Sequence, residues 1–377
     1  MAASSPRIPQ VNFAEVVRAS HLPALDGLRA VAALSVIVFH AGYGNLFDGV
    51  TAFFVLSGFL ITTLLLRERE ARGENSLGAF YIRRTLRIFP AYYACVAASF
   101  AIDYVAGNPW PPGLKPSALV YGVNYFNAFH GHPSTSIAHL WSLGVEEQFY
   151  LLWPALFILI ARRGIPALRT TLVAIILGGI GWKIVLHYQL GVGQAYLYNA
   201  FDARFDNLAV GCLLATLVSD PRCVAVVQRL TARSWMPLVT IGIMLVVGHQ
   251  LSALQRHLFG FTLYSVLVAV LIVQLLQLHS SLLWSWLDRR PVRFLGTISY
   301  PIYLYHAWGL NLGHWLPAPP VVQFLAGVIF SIAGGVGSYY VVERPFPALK
   351  QRFAPPRAKA AGPIIAAAGS GVQLETS

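Results

Sequence analysis

The residues of this chain with the most chemical capacity lie inside its most apolar stretches. Arg29 and His40 are eleven residues apart within the window 22–42. Eleven residues at 100° each fall within about 20° of three full turns, so on a helix they share a face, roughly 16 Å apart. An imidazole there is either a general base at neutral pH or a histidine satisfied by a neighbouring helix. His139, Ser142, Glu146 and Tyr150 also share a helical face by the three-, four- and seven-residue rule. Glu146 and Glu147 cannot both face lipid, which leaves an interhelical pair or a carboxylate that orients a catalytic histidine. Asp202, Arg204 and Asp206 read as a self-neutralising cluster, and His306 follows the aromatic run from Tyr300 to Tyr305. Tyrosines favour the membrane interface, so that run is an interfacial belt or part of a site. Arg83, Arg84 and Arg87 form a basic cluster of the kind that holds phosphate, although topology alone also places arginines there.

These side chains need an apolar frame, and composition supplies it. Hydrophobic residues make up 56% of 377 and charged residues 11%, against roughly 25% charged in a soluble domain. Mean hydropathy is +0.60. A spanning helix takes about 20 mostly apolar residues. Such windows recur at 22–42, 50–66, 88–106, 140–161, 170–189, 204–218, 235–251, 258–278, 296–316 and 321–342. The expected fold is therefore all-α, a polytopic membrane protein of about ten transmembrane helices. A charged side chain at the bilayer centre costs between ~3 and more than 10 kcal/mol, so those inside the windows mark a site or a paired network.

Charge placement orients the spans. With the N-terminus inside, 22 of the 27 basic residues fall in cytoplasmic segments, as the positive-inside rule requires. Both termini are expected to be cytoplasmic. The net charge of +12 thus reads as topology; the charges form no single face, which argues against a nucleic-acid partner. Two long loops are expected, a basic one at 67–87 and an outer one at 107–139, whose part 117–130 is apolar enough to enter the membrane surface.

Residues 1–21 are polar, so the first helix is expected to be a retained anchor preceded by a cytoplasmic segment. The tail 347–377 is Ala-, Gly- and Pro-rich and is expected to be disordered. Cys95, Cys212 and Cys223 read as small buried apolar residues. No dense His, Cys or carboxylate spacing suggests a metal.

Taken together these positions resemble the membrane-bound acyltransferase type 3 family, which includes bacterial O-antigen and other polysaccharide O-acetyltransferases and some macrolide acyltransferases. LPALDGLRAVAALSVIVFH resembles the family's first helix, with Arg29 and His40 on its arginine–histidine motif. FFVLSGFLIT (53–62) resembles the second helix, and Arg84 and Arg87 match an RxxR element. HLWSLGVEEQFYLLWP (139–154) is the most specific match, with Glu146 at the acidic position. RFDNLAVG (204–211), ISYPIYLYH (298–306) and VERPF (342–346) follow in order. The resemblance covers 22–346, expected to be the acyltransferase domain, in the form without the hydrolase-like domain that some members carry.

The resemblance implies transfer of an acyl group, acetyl being the expected one, from acyl-CoA to a sugar hydroxyl, with no bound cofactor. The acceptor would be a cell-surface polysaccharide, a lipid-linked glycan or a glycosylated metabolite, met at a bacterial inner membrane. Arg84 and Arg87 would hold the donor's phosphates, and His40 would act as base with Arg29 on its face and Glu146 orienting the imidazole. Asp26, Ser57, His139, Ser142, Tyr150, Arg204, Asp206 and His306 would support them. The alternative class is a polytopic transporter or flippase for a lipid-linked sugar.

Overall fold

The computed structural model describes residues 22–44, 47–218 and 220–345. The segments expected at 1–21 and 347–377 lie outside them, as does Phe346 of the VERPF string. All ten apolar windows fall on helices, and no strand occurs among the described residues. In chain order the main helices are α1 (Pro23–His40), α2 (Gly49–Arg72), α3 (Leu77–Val105), α4 (Leu114–Leu119), α5 (Val123–His130), α6 (Trp141–Ala161) and α7 (Ile165–Tyr188). There follow α8 (Gln194–Asn199), α9 (Phe201–Val218), α10 (Val224–Leu230), α11 (Met236–Gln250) and α12 (Ala253–Leu278, with a π-helical stretch at Arg256–Gly260). The last three are α13 (Arg290–Thr297), α14 (Ser299–His314) and α15 (Pro320–Ser338), which runs on into a π turn at Tyr339–Glu343.

Among the described residues seven helices are long and apolar enough to cross a membrane: α1, α2, α3, α6, α7, α12 and α15. The other three windows are helical but fall short of that measure. Helix α9 carries Asp202, Arg204 and Asp206 in 18 residues, while α11 and α14 have 15 and 16 residues. The molecule is an all-α polytopic membrane protein.

The expected basic loop 67–87 is instead mostly helix. Helix α2 runs on to Arg72 and stops at Gly73, whose φ of 78° is open to glycine. Ser76 then caps α3, its hydroxyl accepting the Ala79 N–H at 3.3 Å. Arg and Glu are strong helix formers, and Glu68 meets both Arg72 (3.4 Å) and Arg83 (3.7 Å) across the turn. Charge there marks where the chain leaves lipid, not where the helix ends. The segment 107–139 also packs on protein. Tyr121 stacks on Tyr92 at 3.8 Å, Tyr92 donates to the Ala118 carbonyl, and Asn124 exchanges hydrogen bonds with Gln148 at 3.0 Å.

The centre of the bundle is the α2–α9 contact. Gly58 lies against the Leu208 backbone and Gly211 against the Val55 backbone, so close that a Cβ at either position would collide with main chain. Small residues allow such approach where no hydrophobic effect drives helices together. That approach fixes α2, and with it the cavity described next.

Candidate functional site

The inner chamber is a cavity of about 270 Å³ among α1, α2, α3, α6, α14 and the turn after α15. Its α2 wall runs from Val50 to Leu64, a rise of about 21 Å, so it extends through most of one bilayer thickness. Into it project Arg29, Arg84, Arg87 and Arg344 and the carboxylates Glu146, Glu147 and Glu343. Among the described residues none of these arginines makes a direct ion pair with these glutamates. Charges that line a cavity without closing on one another are poised for a polar ligand.

Each charge has a local reason for its position. Glu146 Oε1 accepts the Ser57 hydroxyl at 2.8 Å, and Tyr150 OH lies 3.1 Å from Oε2 and 2.9 Å from Ser57 Oγ. Tyr150 is one turn beyond Glu146 on α6, which is the spacing that puts both on one face. The Arg84 guanidinium covers the Tyr150 ring at 3.5 Å. Arg29 Nε donates to Ser299 Oγ at 3.2 Å. Asp26 sits in the first turn of α1.

Beyond the Tyr303 wall of this cavity lies a cluster of histidines. His40 ends α1, exposed, with its ring 4.8 Å from that of His306, which in turn lies 4.5 Å from His139. Each ring contacts a backbone carbonyl: His40 Nδ1 with Val36 O (2.9 Å), His306 Nδ1 with Tyr303 O (2.7 Å) and His139 Nε2 with Leu304 O (3.2 Å). A carbonyl only accepts, so those nitrogens carry the hydrogen, and in the neutral rings the others keep a lone pair. His40 Nε2 is thus the basic atom of an exposed imidazole. His306 is fully buried and its Nε2 has no partner. Among the described residues no three His, Cys, Asp or Glu side chains are grouped to hold a metal.

Tyr303 and Ser142 form the partition. Both line the inner cavity; their hydroxyls meet at 2.6 Å, and Tyr303 OH donates to the His139 carbonyl at 2.7 Å. Arg29 and His40 therefore share one helix, Arg29 lining the cavity and His40 standing in the histidine cluster beyond it.

Glu146 goes with Arg29. Its hydrogen-bond partners are Ser57 and Tyr150, so the expected Glu146–His40 contact is not formed. Seven residues separate Glu146 from His139, about 10 Å along α6, and it is His139 that reaches the histidine cluster.

The α9 charges are not a self-neutralising cluster. Asp202 accepts from Trp182 (2.8 Å), Tyr125 (3.2 Å) and Tyr196 (3.2 Å). Buried Arg204 donates to Thr51 Oγ1 at 3.0 Å and lies 3.8 Å over the Phe261 ring. Beside it burial, and then the Asp48 carboxylate, push the Tyr198 hydroxyl up to about 12, so that it stays protonated. Asp206 takes the Lys183 ammonium at 2.8 Å and the Thr262 hydroxyl. Arg204 and Asp206 thus brace α9 against α2, α7 and α12.

Three residues escaped the sequence reading. Lys183 was legible as a lysine inside the window 170–189. Glu343 and Tyr303 lie inside the VERPF and ISYPIYLYH strings. Only the fold shows that Tyr303 stands between the cavity and the histidine cluster.

A family profile described as an acyltransferase domain matches residues 22–340. The chain is 32% identical over 309 residues to the peptidoglycan O-acetyltransferase OatA of Listeria monocytogenes serovar 1/2a, covering 76% of this chain and 49% of that relative. It is 32% identical over 362 residues to the O-acetyltransferase OatA of Staphylococcus aureus (strain NCTC 8325 / PS 47), covering 86% of this chain and 57% of the relative. The chain thus spans about half the length of these curated relatives. No solved structure matches it. The matched profile covers the same helices that carry the Arg29–His40 and Glu146 motifs, and the chain belongs to the membrane-bound acyltransferase type 3 family.

Proposed function

We propose that the chain moves an acetyl group from acetyl-CoA to a sugar hydroxyl of a cell-surface glycan. The observation that carries this reading is the charged inner cavity along α2, ending at the Tyr303–Ser142 partition beneath an exposed imidazole with a free lone pair. Acetyl and a peptidoglycan-type acceptor are suggested by the names of the relatives. The transporter alternative has no support from either.

In this proposal the arginine-rich ends of the helices face the cytoplasm of a bacterial inner membrane, and both chain termini lie on that side. About ten helices cross, with α9, α11 and α14 completing the seven that meet the length and hydropathy measure. The donor enters the inner chamber with its phosphates on Arg84 and Arg87, whose forked donors suit phosphate oxygens. Arg29 sits deeper on the same wall, and Glu146, held by Ser57 and Tyr150, orders the polar part of that chamber. The acyl end points toward Tyr303.

His40 Nε2 takes the proton from the acceptor hydroxyl as the oxygen attacks the thioester carbonyl, and the thiolate leaves. In a second route His40 Nε2 itself attacks the carbonyl and the thiolate leaves; the acceptor oxygen then displaces the imidazole, whose freed Nε2 takes the hydroxyl proton. His306 and His139 hold the His40 ring in place in both. The test is transfer by purified protein of labelled acetyl from acetyl-CoA to a glycan fragment, with rapid acid quenching to look for label on protein. Labelled glycan supports the transferase. Label on the wild-type chain but not on His40→Ala selects the second route, and no consumption of acetyl-CoA with any glycan offered refutes the donor assignment.

A further inference from the structure

Helix α7 is held to α9 at two polar points. At one, Lys183 Nζ donates to Asp206 Oδ2 at 2.8 Å and to Thr262 Oγ1 at 3.0 Å. At the other, the Arg169 guanidinium grips Asp220 and the Thr216 carbonyl. The two points are about 21 Å apart along α7. Between them α7 and α12 stand apart over α9 and leave a cleft of about 400 Å³, every lining side chain of which is apolar. Val173, Leu177 and Val266 line it and are also exposed, so the cleft opens sideways onto the surface that lipid would cover.

Short helix α10 closes one end with Val226, Val227 and Leu230. The same segment carries Arg222, Arg229 and, just beyond it, Arg233, all exposed. Among the described residues none of these three forms an ion pair. Asp220, the carboxylate next to them in sequence, is already engaged by Arg169 and by the Arg222 backbone N–H.

We propose that this cleft holds one acyl chain of an anionic phospholipid, whose headgroup lies against Arg222, Arg229 and Arg233. An apolar concavity facing hydrocarbon gains dispersion contacts only when a chain fills it. Unpaired arginines at the headgroup level favour an anionic lipid by about fivefold each. The site is separate from the charged cavity and from the histidine cluster, and independent of the transferase reading.

Native mass spectrometry of the full chain, extracted from membranes in mild detergent and progressively delipidated, tests it. Wild type is expected to keep a last phospholipid with an anionic headgroup. Val270→Trp, which fills the cleft, is expected to lose it. Arg222→Gln/Arg229→Gln/Arg233→Gln is expected to keep a lipid but lose the headgroup preference by about tenfold or more. Each variant is checked for a monodisperse, cooperatively melting protein, and Val173→Trp on the opposite wall replaces Val270→Trp if that one misfolds. Wild type stripped cleanly of all lipid, a last lipid that survives cleft filling, or an unchanged headgroup preference in the triple variant would each overturn the proposal.

Discussion

His40 and His306 lie 266 positions apart in the chain, and their rings meet at 4.8 Å, each with Nδ1 against a carbonyl one turn back on its own helix. The contact fixes which nitrogen of each ring is free. One ring is exposed, and the other is buried with its lone pair unmatched. As the proposed base, His40 sets the acid limb of the transfer-rate profile, because only the unprotonated ring can take a proton. His306→Phe, which keeps an aromatic ring and removes the lone pair, should displace that limb and reduce the plateau. A purely structural role would lower protein yield and leave the limb in place; measuring both decides between them.

In the proposed mechanism Glu146 acts on the donor side of the partition. Glu146→Gln keeps the shape but removes the charge that Ser57 and Tyr150 solvate, and hydrogen bonds to a charged group contribute about 1.5–3 kcal/mol. We expect KM for the donor to rise about tenfold or more, and the pH limb assigned to His40 to stay put. Movement of that limb in Glu146→Gln would restore the His40–Glu146 pairing that the geometry lacks.

Arg84 should not tolerate lysine. The guanidinium covers the Tyr150 face at 3.5 Å, and an ammonium has neither the plane to stack nor the fork for phosphate. Arg84→Lys is expected to weaken donor binding by about tenfold, a loss of about 1.4 kcal/mol. Titration of a non-transferable donor analogue measures it, and wild-type affinity in the lysine variant would remove Arg84 from the donor site.

Lys183 and Asp206 are both 99% buried at the side chain. Removing one partner of such a pair costs about 3–5 kcal/mol, whereas removing both is often close to neutral. Lys183→Met should therefore lower the thermal midpoint in detergent sharply, and Lys183→Met/Asp206→Leu should recover most of it. A double variant as unstable as the single one would mean that the pair is not the brace between α7 and α9.

The apolar windows located every long helix because a bilayer-length run is a strong local signal. Windows stopped short where helices extend past the lipid, as α2 does to Arg72 and α3 from Leu77, since hydropathy falls there although helix propensity does not. The individual site residues were legible as polar groups in costly places. Their partners were not, because the Arg29–Ser299, Ser57–Glu146 and His40–His306 contacts join helices far apart in sequence. Spacing along one helix puts Arg29 and His40 on one face; only packing against α6 and α14 places one in the cavity and the other in the histidine cluster.

The central claim is that His40 performs the chemistry, and the most direct measurement is complementation of a deletion strain with wild type and with His40→Ala at matched protein levels. Surface glycans would be profiled by mass for acetyl increments. The account predicts that wild type restores acetylation and that His40→Ala leaves it at the deletion level, consistent with the loss of about 10²–10⁴ in rate that removing a positioned base brings. Full acetylation by His40→Ala would contradict it.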